Sequence, residues 1–317
     1  MKIVNDTFRR AFRAAALVLM FAGLPLTLFT QVNPHQIAIL RWYAGNESSS
    51  FPFQNPHAIA FDGANMWVAG INNTLVKMRA SDGAVLATFI QPTSALVFDG
   101  ANMWAANVAP SNTVTKVRAS DGQVLGSFKV GTDPLALAFD GANIWVANEG
   151  THNVTKLRAT DGQVLGTFSS VIPFPIALAF DGANIWVGGN SNIVVRLRPN
   201  DGAFQGLFPA ATSNNAVRHM AFDGTNMWIA LADRVAELRA SDGFLVRTVN
   251  LGVNPSRLAF DGLNIWVGTA NNFAVFKLRA SDGTVVGTFD VGSQAQLLAF
   301  DGANVWACLF NNSIAKL

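Results

Sequence analysis

The 317-residue chain has one cysteine, one tyrosine and four histidines. A lone cysteine excludes an intramolecular disulfide framework. Cys308 also stands where other copies of a repeat carry Val or Ala, so it reads as a small buried apolar side chain rather than a reactive thiol. Histidine is too sparse to spell a metal site, and no His-x-His, His-Glu-x-x-His or Cys–His grouping occurs. Charged residues are only 13% of the chain against 50% hydrophobic ones, so most of it must be buried between similar layers. The formal charge of +2 belongs to the N-terminus. Setting aside Lys2, Asp6, Arg9, Arg10 and Arg13 leaves 18 basic residues against 19 acidic ones. A near-neutral domain without a basic stripe gives no footing for nucleic acid. Gly-rich phosphate loops and a nucleophile elbow are missing too, the glycines marking turns instead.

Only one long apolar run is present, from Ala14 to Thr30, broken by Gly23 and Pro25 and preceded by the basic residues above. That is the charged and hydrophobic order of a secretory signal, and its ~17 residues fall short of the ~20 of a membrane span. Residues 1–30 are therefore expected to direct export to the periplasm, cell surface or medium. No small-x-small cleavage site follows, so an uncleaved N-terminal membrane anchor is the alternative.

What fills the remainder is a repeat. Phe-Asp-Gly, a small residue, Asn, an apolar residue and Trp recur with the Phe at 61, 98, 139, 180, 222, 260 and 300. A period of about 40 residues means a propeller or solenoid. In the copy around Phe139, the run Leu135 to Phe139 ends at the turn Asp140-Gly141-Ala142-Asn143, and Ile144 to Ala147 forms a second run. A polar stretch precedes the alternating Val154 to Arg158, and the hairpin signal Asp161-Gly162 leads into Val164 to Phe168. Four short local strands make an antiparallel meander. The first two are apolar on both faces, whereas the third carries charges such as Lys77/Arg79 and Glu237/Arg239. That inner-to-outer polarity predicts an all-β fold, a seven-bladed β-propeller of four-stranded blades over residues 53–317. The last repeat stops at its third strand. Residues 31–52 are expected to complete it, with Asn46 to Phe51 as the closing strand.

Length varies only after the second and fourth strands, connections that an up-down meander brings to one face. Variable loops over a rigid frame are where binding resides. Candidates in the second-to-third connections are Asn107, Asn148, Glu149, His152, Asn190 and Asp233; Ser94 and Asp133 lie in the fourth-to-first connections. The stronger set is His57, Arg218, His219, Arg257 and Gln296, three or four residues before the motif Phe, where other repeats carry Ala, Leu or Ile. Polar residues there oppose the local pattern at the mouth of a central channel and suit a ligand site. Most acids are absorbed by the repeat. The motif Asp residues (Asp62, Asp99, Asp140, Asp181, Asp223, Asp261) are expected to meet the repeat Arg in structural ion pairs. Seven of the eight Trp are expected to be packing between blades.

The phrase Phe139-Asp-Gly-Ala-Asn-Ile-Trp-Val-Ala-Asn, followed by Asn153-Val-Thr-Lys-Leu-Arg-Ala and Asp161-Gly, resembles bacterial β-propeller repeats of the NHL and YVTN type. The resemblance covers roughly residues 53–317 and implies a propeller that serves as a binding or interaction scaffold. Streptogramin (virginiamycin B) lyase is a more distant resemblance, implying a seven-bladed propeller that opens a cyclic depsipeptide by metal-dependent elimination. Its typical second-strand Trp-Phe-Thr-Glu is here Trp-Val-Ala-Asn, and no catalytic or metal-ligating residue carries over. The expectation is an exported, monomeric, non-enzymatic propeller without cofactor that binds a protein, peptide or glycan. The alternatives are a Mg²⁺-assisted lyase near His57, His219 and Glu149, and a structural envelope protein.

Overall fold

The computed structural model of the protein describes residues 49–169, 172–211 and 215–317. The signal or anchor expected over residues 1–30, and residues 46–48 of the expected closing strand, lie outside the described residues. Seven four-stranded antiparallel sheets follow one another as blades. In the third blade the strands are Pro134–Phe139, Asn143–Asn148, Asn153–Arg158 and Val164–Ser169, paired in chain order. Each innermost strand contacts the innermost strands of both neighbouring blades, which closes the ring. The last blade is completed by Ser49–Pro52, which pairs antiparallel with Ser313–Lys316, Ser49 opposite Lys316. The expected closure from the N-terminal side is therefore present, and no blade edge is left open between first and last.

The core sits between blades rather than inside any one of them. One hydrophobic cluster joins Trp145 and Ala147 of the third blade to Ile185, Val187 and Leu197 of the fourth. Another joins Trp306, Cys308 and Ile314 of the last blade to Met66, Val68 and Met78 of the first. A second strand that is apolar on both faces has one face for each neighbour, which explains its unbroken apolar run. Cys308 is fully buried in this closing seam, and burial pushes its thiol pKa up. It is a packing residue, as its replacement of Val or Ala implies.

One expected pairing is overturned. The motif Asp does not meet the repeat Arg. In all seven copies its Oδ2 accepts the indole Nε1–H of the motif Trp at 2.7–2.8 Å. Its Oδ1 accepts the turn amides that follow, as from Ala101 and Asn102 to Asp99. A Trp drawn into a dry seam must bring an acceptor for its N–H, and the motif Asp is that acceptor. Burial acts to raise these carboxyls, but the indole and amide donors outweigh it and hold Asp62, Asp99, Asp261 and Asp301 below the ordinary range. The repeat Arg turns instead to the hairpin Asp three residues on, as in Arg118–Asp121 and Arg158–Asp161 at 2.8 and 2.9 Å.

Two kinds of glycine hold the turns on this face. Gly100 of the motif has φ 97° with open space around it, so only the backbone conformation demands it. Gly122 of the hairpin has φ 77° and also lies against the Phe89 ring of the preceding blade, which leaves no room for a Cβ.

A third-strand Lys or Arg bridges five of the seven seams to the next blade. Lys116 Nζ lies over the Trp104 ring at 5.2 Å and donates to the carbonyls of Ala159 and Thr160 in the next blade at 2.7 and 3.0 Å. The Phe128 ring of its own outer strand packs on Trp104 at 5.7 Å. At the closing seam Lys316 does the same, over Trp306 and onto Ala80 and Ser81.

Candidate functional site

The connections of variable length emerge on the face opposite those turns, and the site is built where the innermost strands begin. At this end of the central channel lies a cavity of about 140 Å³. Its wall is drawn from all seven blades and includes His57, Ser94, Arg218, His219 and Arg257. Four of the five residues of the stronger set therefore come together, although they arise from the first, fifth and sixth blades. Gln296 does not line the cavity, and its Nε2 is buried without a hydrogen-bond partner.

The fifth blade gains its two polar residues through a bulge. Val217 is opposite Leu231 and His219 opposite Ala230, so Arg218 is an extra residue between them. A bulge re-aims side chains at a rim, and here Arg218 and His219 both reach the cavity. In the sixth blade Ser256 is the extra residue and Arg257 lies opposite Gly268. Ser256 is spent across the seam on the Ala295 carbonyl at 2.9 Å.

The electrostatics of this sector are one-sided. Arg218 donates to the Pro255 carbonyl at 3.4 Å, and Arg257 to the carbonyls of Arg218 and Ser256 at 3.4 and 3.0 Å. Among the described residues neither guanidinium has a carboxylate partner, and none of the cavity wall is acidic. Burial and then the charge of Arg218 push the Arg257 pKa down. Burial, followed by the charge of Arg257, pushes His219 down to about 3. His219 is thus a neutral ring at any ordinary pH. Its Nδ1 accepts the Leu258 N–H at 3.3 Å, which leaves the proton on Nε2. His57 differs, because both of its ring nitrogens face backbone carbonyls, Asn55 and Thr93, at 2.9 Å.

Of the weaker loop residues only Ser94 lines this cavity, and the others are placed elsewhere. Asn148 is fully buried and donates to Asn153 and Thr155, so it ties strands together. Asn107 is buried in a similar network with Gln91, Thr113 and Thr115. Asp133 has φ 51° and, with Glu149, shapes the loop crossing through a backbone hydrogen bond. His152 lies against the Phe174 ring at 4.2 Å, and only its backbone meets the Glu149 carbonyl. Asp233 is held in a two-point ion pair by Arg234. Asn190 is exposed, and Ser94 gives its hydroxyl to the carbonyls of Ala106 and Pro134. Glu149 does not reach the cavity shared by His57 and His219. Among the described residues no three His, Cys, Asp or Glu side chains gather as a metal site would require.

A second cavity, of about 420 Å³, was not foreseen from the sequence. It opens at the seam between the fifth and sixth blades, with Asp223, Glu237, Arg247 and Leu263 in its wall. The signal was present in the repeat alignment: Glu237 replaces the third-strand Lys and Val249 replaces the outer Phe.

No protein-family model matches the chain, and no curated protein matches it in sequence. Among solved structures, the β-propeller domain of Cps50 (Swd1) from Myceliophteria thermophila superposes with a TM-score of 0.72 at 11% identity. The match covers 86% of this chain and 99% of that domain. The likeness is one of fold: this chain is a seven-bladed β-propeller.

Proposed function

We propose that the protein is an exported binding propeller of the NHL and YVTN kind, without catalysis of its own. It engages a protein, peptide or glycan through its variable face, at the channel mouth. One observation carries this reading: His57, Arg218, His219 and Arg257 converge on one cavity from three blades. The propeller fold supports it as a frame that serves many binding functions. Peptide and glycan arrays probed with the wild type, Arg257→Ala, His219→Ala and the opposite-face control Arg118→Ala test it. The two channel variants are expected to lose binding at least tenfold while the control keeps it; equal binding by all four overturns the reading. Export is tested by N-terminal sequencing of protein recovered from outside the cytoplasmic membrane.

The lyase reading keeps one observation in its favour, two histidines on one cavity. Incubation with a cyclic streptogramin B and Mg²⁺ decides it: a linear product supports the lyase, and intact substrate under enzyme excess removes it.

A further inference from the structure

The channel wall is divided. On the side of blades two to four it presents Leu96, Leu137 and Leu178; on the side of blades five and six it presents Arg218, His219 and Arg257. We infer that this cavity receives a carboxylate carried on an apolar body, the carboxylate on the two arginines and the body against the three leucines. The inference deepens the channel-mouth reading above and rests on it.

Charge sets the sign of the ligand. Two guanidiniums in neighbouring blades line one partly open cavity, and their contacts to main-chain carbonyls, at 3.0 to 3.4 Å, neutralise neither. Each guanidinium has five N–H donors, so most remain open to a ligand. Arg218 and Arg257 are half-buried, and a partly desolvated charge without a partner is costly; an anion shared by both offsets that cost and their mutual repulsion together. The absence of any acidic residue from the wall excludes a cationic ligand by the same logic.

Shape narrows the class. The planar guanidinium fork matches a carboxylate through paired N–H donors. His219 adds a neutral Nε2–H donor, because its Nδ1 is occupied by Leu258. Opposite them the leucines offer nothing to the outer oxygens of a sulfate or phosphate, and reward an aliphatic group. The cavity of about 140 Å³ equals roughly five waters at ~30 Å³ each, room for a carboxylate with a short aliphatic stem. A free aliphatic acid and the C-terminal residue of a peptide both present that chemistry.

Calorimetric titration of the full-length protein separates the outcomes. Hexanoate is expected to bind saturably, and hexanamide, its neutral isostere, at least tenfold more weakly. Arg218→Gln and Arg257→Gln are each expected to weaken hexanoate tenfold. Acetyl-Gly-Gly-Leu with a free C-terminus, compared with its amide, tells the peptide source from the free acid: tighter binding than hexanoate assigns the peptide. The hexanoate–hexanamide comparison uses only wild-type protein, so it stands even if a variant misfolds. Equal binding of acid and amide, no binding of either, or inorganic phosphate binding as tightly as hexanoate overturns the inference. If these probes fail while array binding still depends on His219 and Arg257, the ligand class is wrong and the channel-mouth reading survives. If array binding ignores those residues, the reading itself falls.

Discussion

Six seams between blades are built alike, and the seam between blades five and six is not. In the six, a Lys or Arg lies over the motif Trp, as with Lys77, Lys156, Arg196 and Lys277 over Trp67, Trp145, Trp186 and Trp266. A Phe of the outer strand packs on the same ring in each of them, from Phe51 on Trp306 to Phe289 on Trp266. In the exceptional seam the charge is inverted and then corrected from the neighbouring strand. Glu237 takes the Lys position, and Arg247, opposite it where other blades have Gly, Ala or Ser, forms an ion pair with it at 2.7 Å. Arg247 also donates to the Ser281 carbonyl of the next blade at 3.3 Å. The cation that bridges two blades is kept, but it arrives from a different strand. Without the outer Phe the seam opens into the cavity beside Leu263. A repeated joint therefore tolerates a change of sign when the bridge to the next blade is preserved.

The largest effects should come from the Trp itself. Trp104→Ala removes a fully buried indole and strands the Asp99 carboxylate, at a cost of about 4 kcal/mol. Trp228→Ala should cost about 1 kcal/mol less, because no Phe or cation adds its ring contact there. Urea denaturation midpoints at unchanged m-value check both, and equal losses would break the comparison. Next comes Glu237→Lys, which sets an ammonium beside Arg247 and should cost about 3 kcal/mol, the lower end for breaking a buried pair. Adding Arg247→Gly should recover most of that loss by rebuilding the common joint; an additive double variant would mean that the two positions are not coupled. Lys116→Ala should cost about 2 kcal/mol through two charge-assisted hydrogen bonds.

The pH dependence separates the seams by sign. Asp62, Asp99, Asp261 and Asp301 titrate lower folded than unfolded, so their stabilisation is present above the ordinary carboxyl value of 3.8 and is lost as pH falls through their folded pKa values. Glu237 is raised from 4.5 by burial, which Arg247 opposes and Asp223 reinforces. Its contribution therefore has the opposite sign: stability declines as pH rises from about 4.5 through its folded pKa. Melting curves between pH 4 and 7 should show that decline in the wild type and lose it in Glu237→Gln. The smallest effect belongs to the hairpin pairs. Both side chains of Arg118–Asp121 are about half exposed, and Arg118→Ala should leave the midpoint unchanged within error.

The architecture was legible because one chain carried seven copies of the same packing problem. Spacing alone placed the turns on one face and the variable loops on the other, and the unfinished last repeat predicted the closing strand. What spacing could not show is which partner a repeated side chain chooses. Arg158 lies close enough in sequence to suggest either Asp140 or Asp161, and the choice turns on the buried Trp145 N–H claiming Asp140 first. His219 and Arg257 were legible as polar exceptions where the other repeats carry Ala or Leu. The convergence of the channel residues was not, because Arg218 owes its direction to a bulge and Arg257 its neighbour to the packing of the sixth innermost strand on the fifth. Asn148 looked like a loop residue, yet it is the last residue of its strand and wholly buried. Polarity at the end of a strand does not tell a solvated tip from an internal tie.

The pairing of Ser49–Pro52 with Ser313–Lys316 has a consequence in time. The first described strand, Ser49–Pro52, waits for a neighbour more than 250 residues later, and contacts of such long separation form slowly. Until then the opening strand and the flank of the first blade are unpaired edges. Assembly of the ring is thus gated by the strand Ser313–Lys316, and a chain that stalls before Ser313 presents an open, adhesive blade rather than a closed ring.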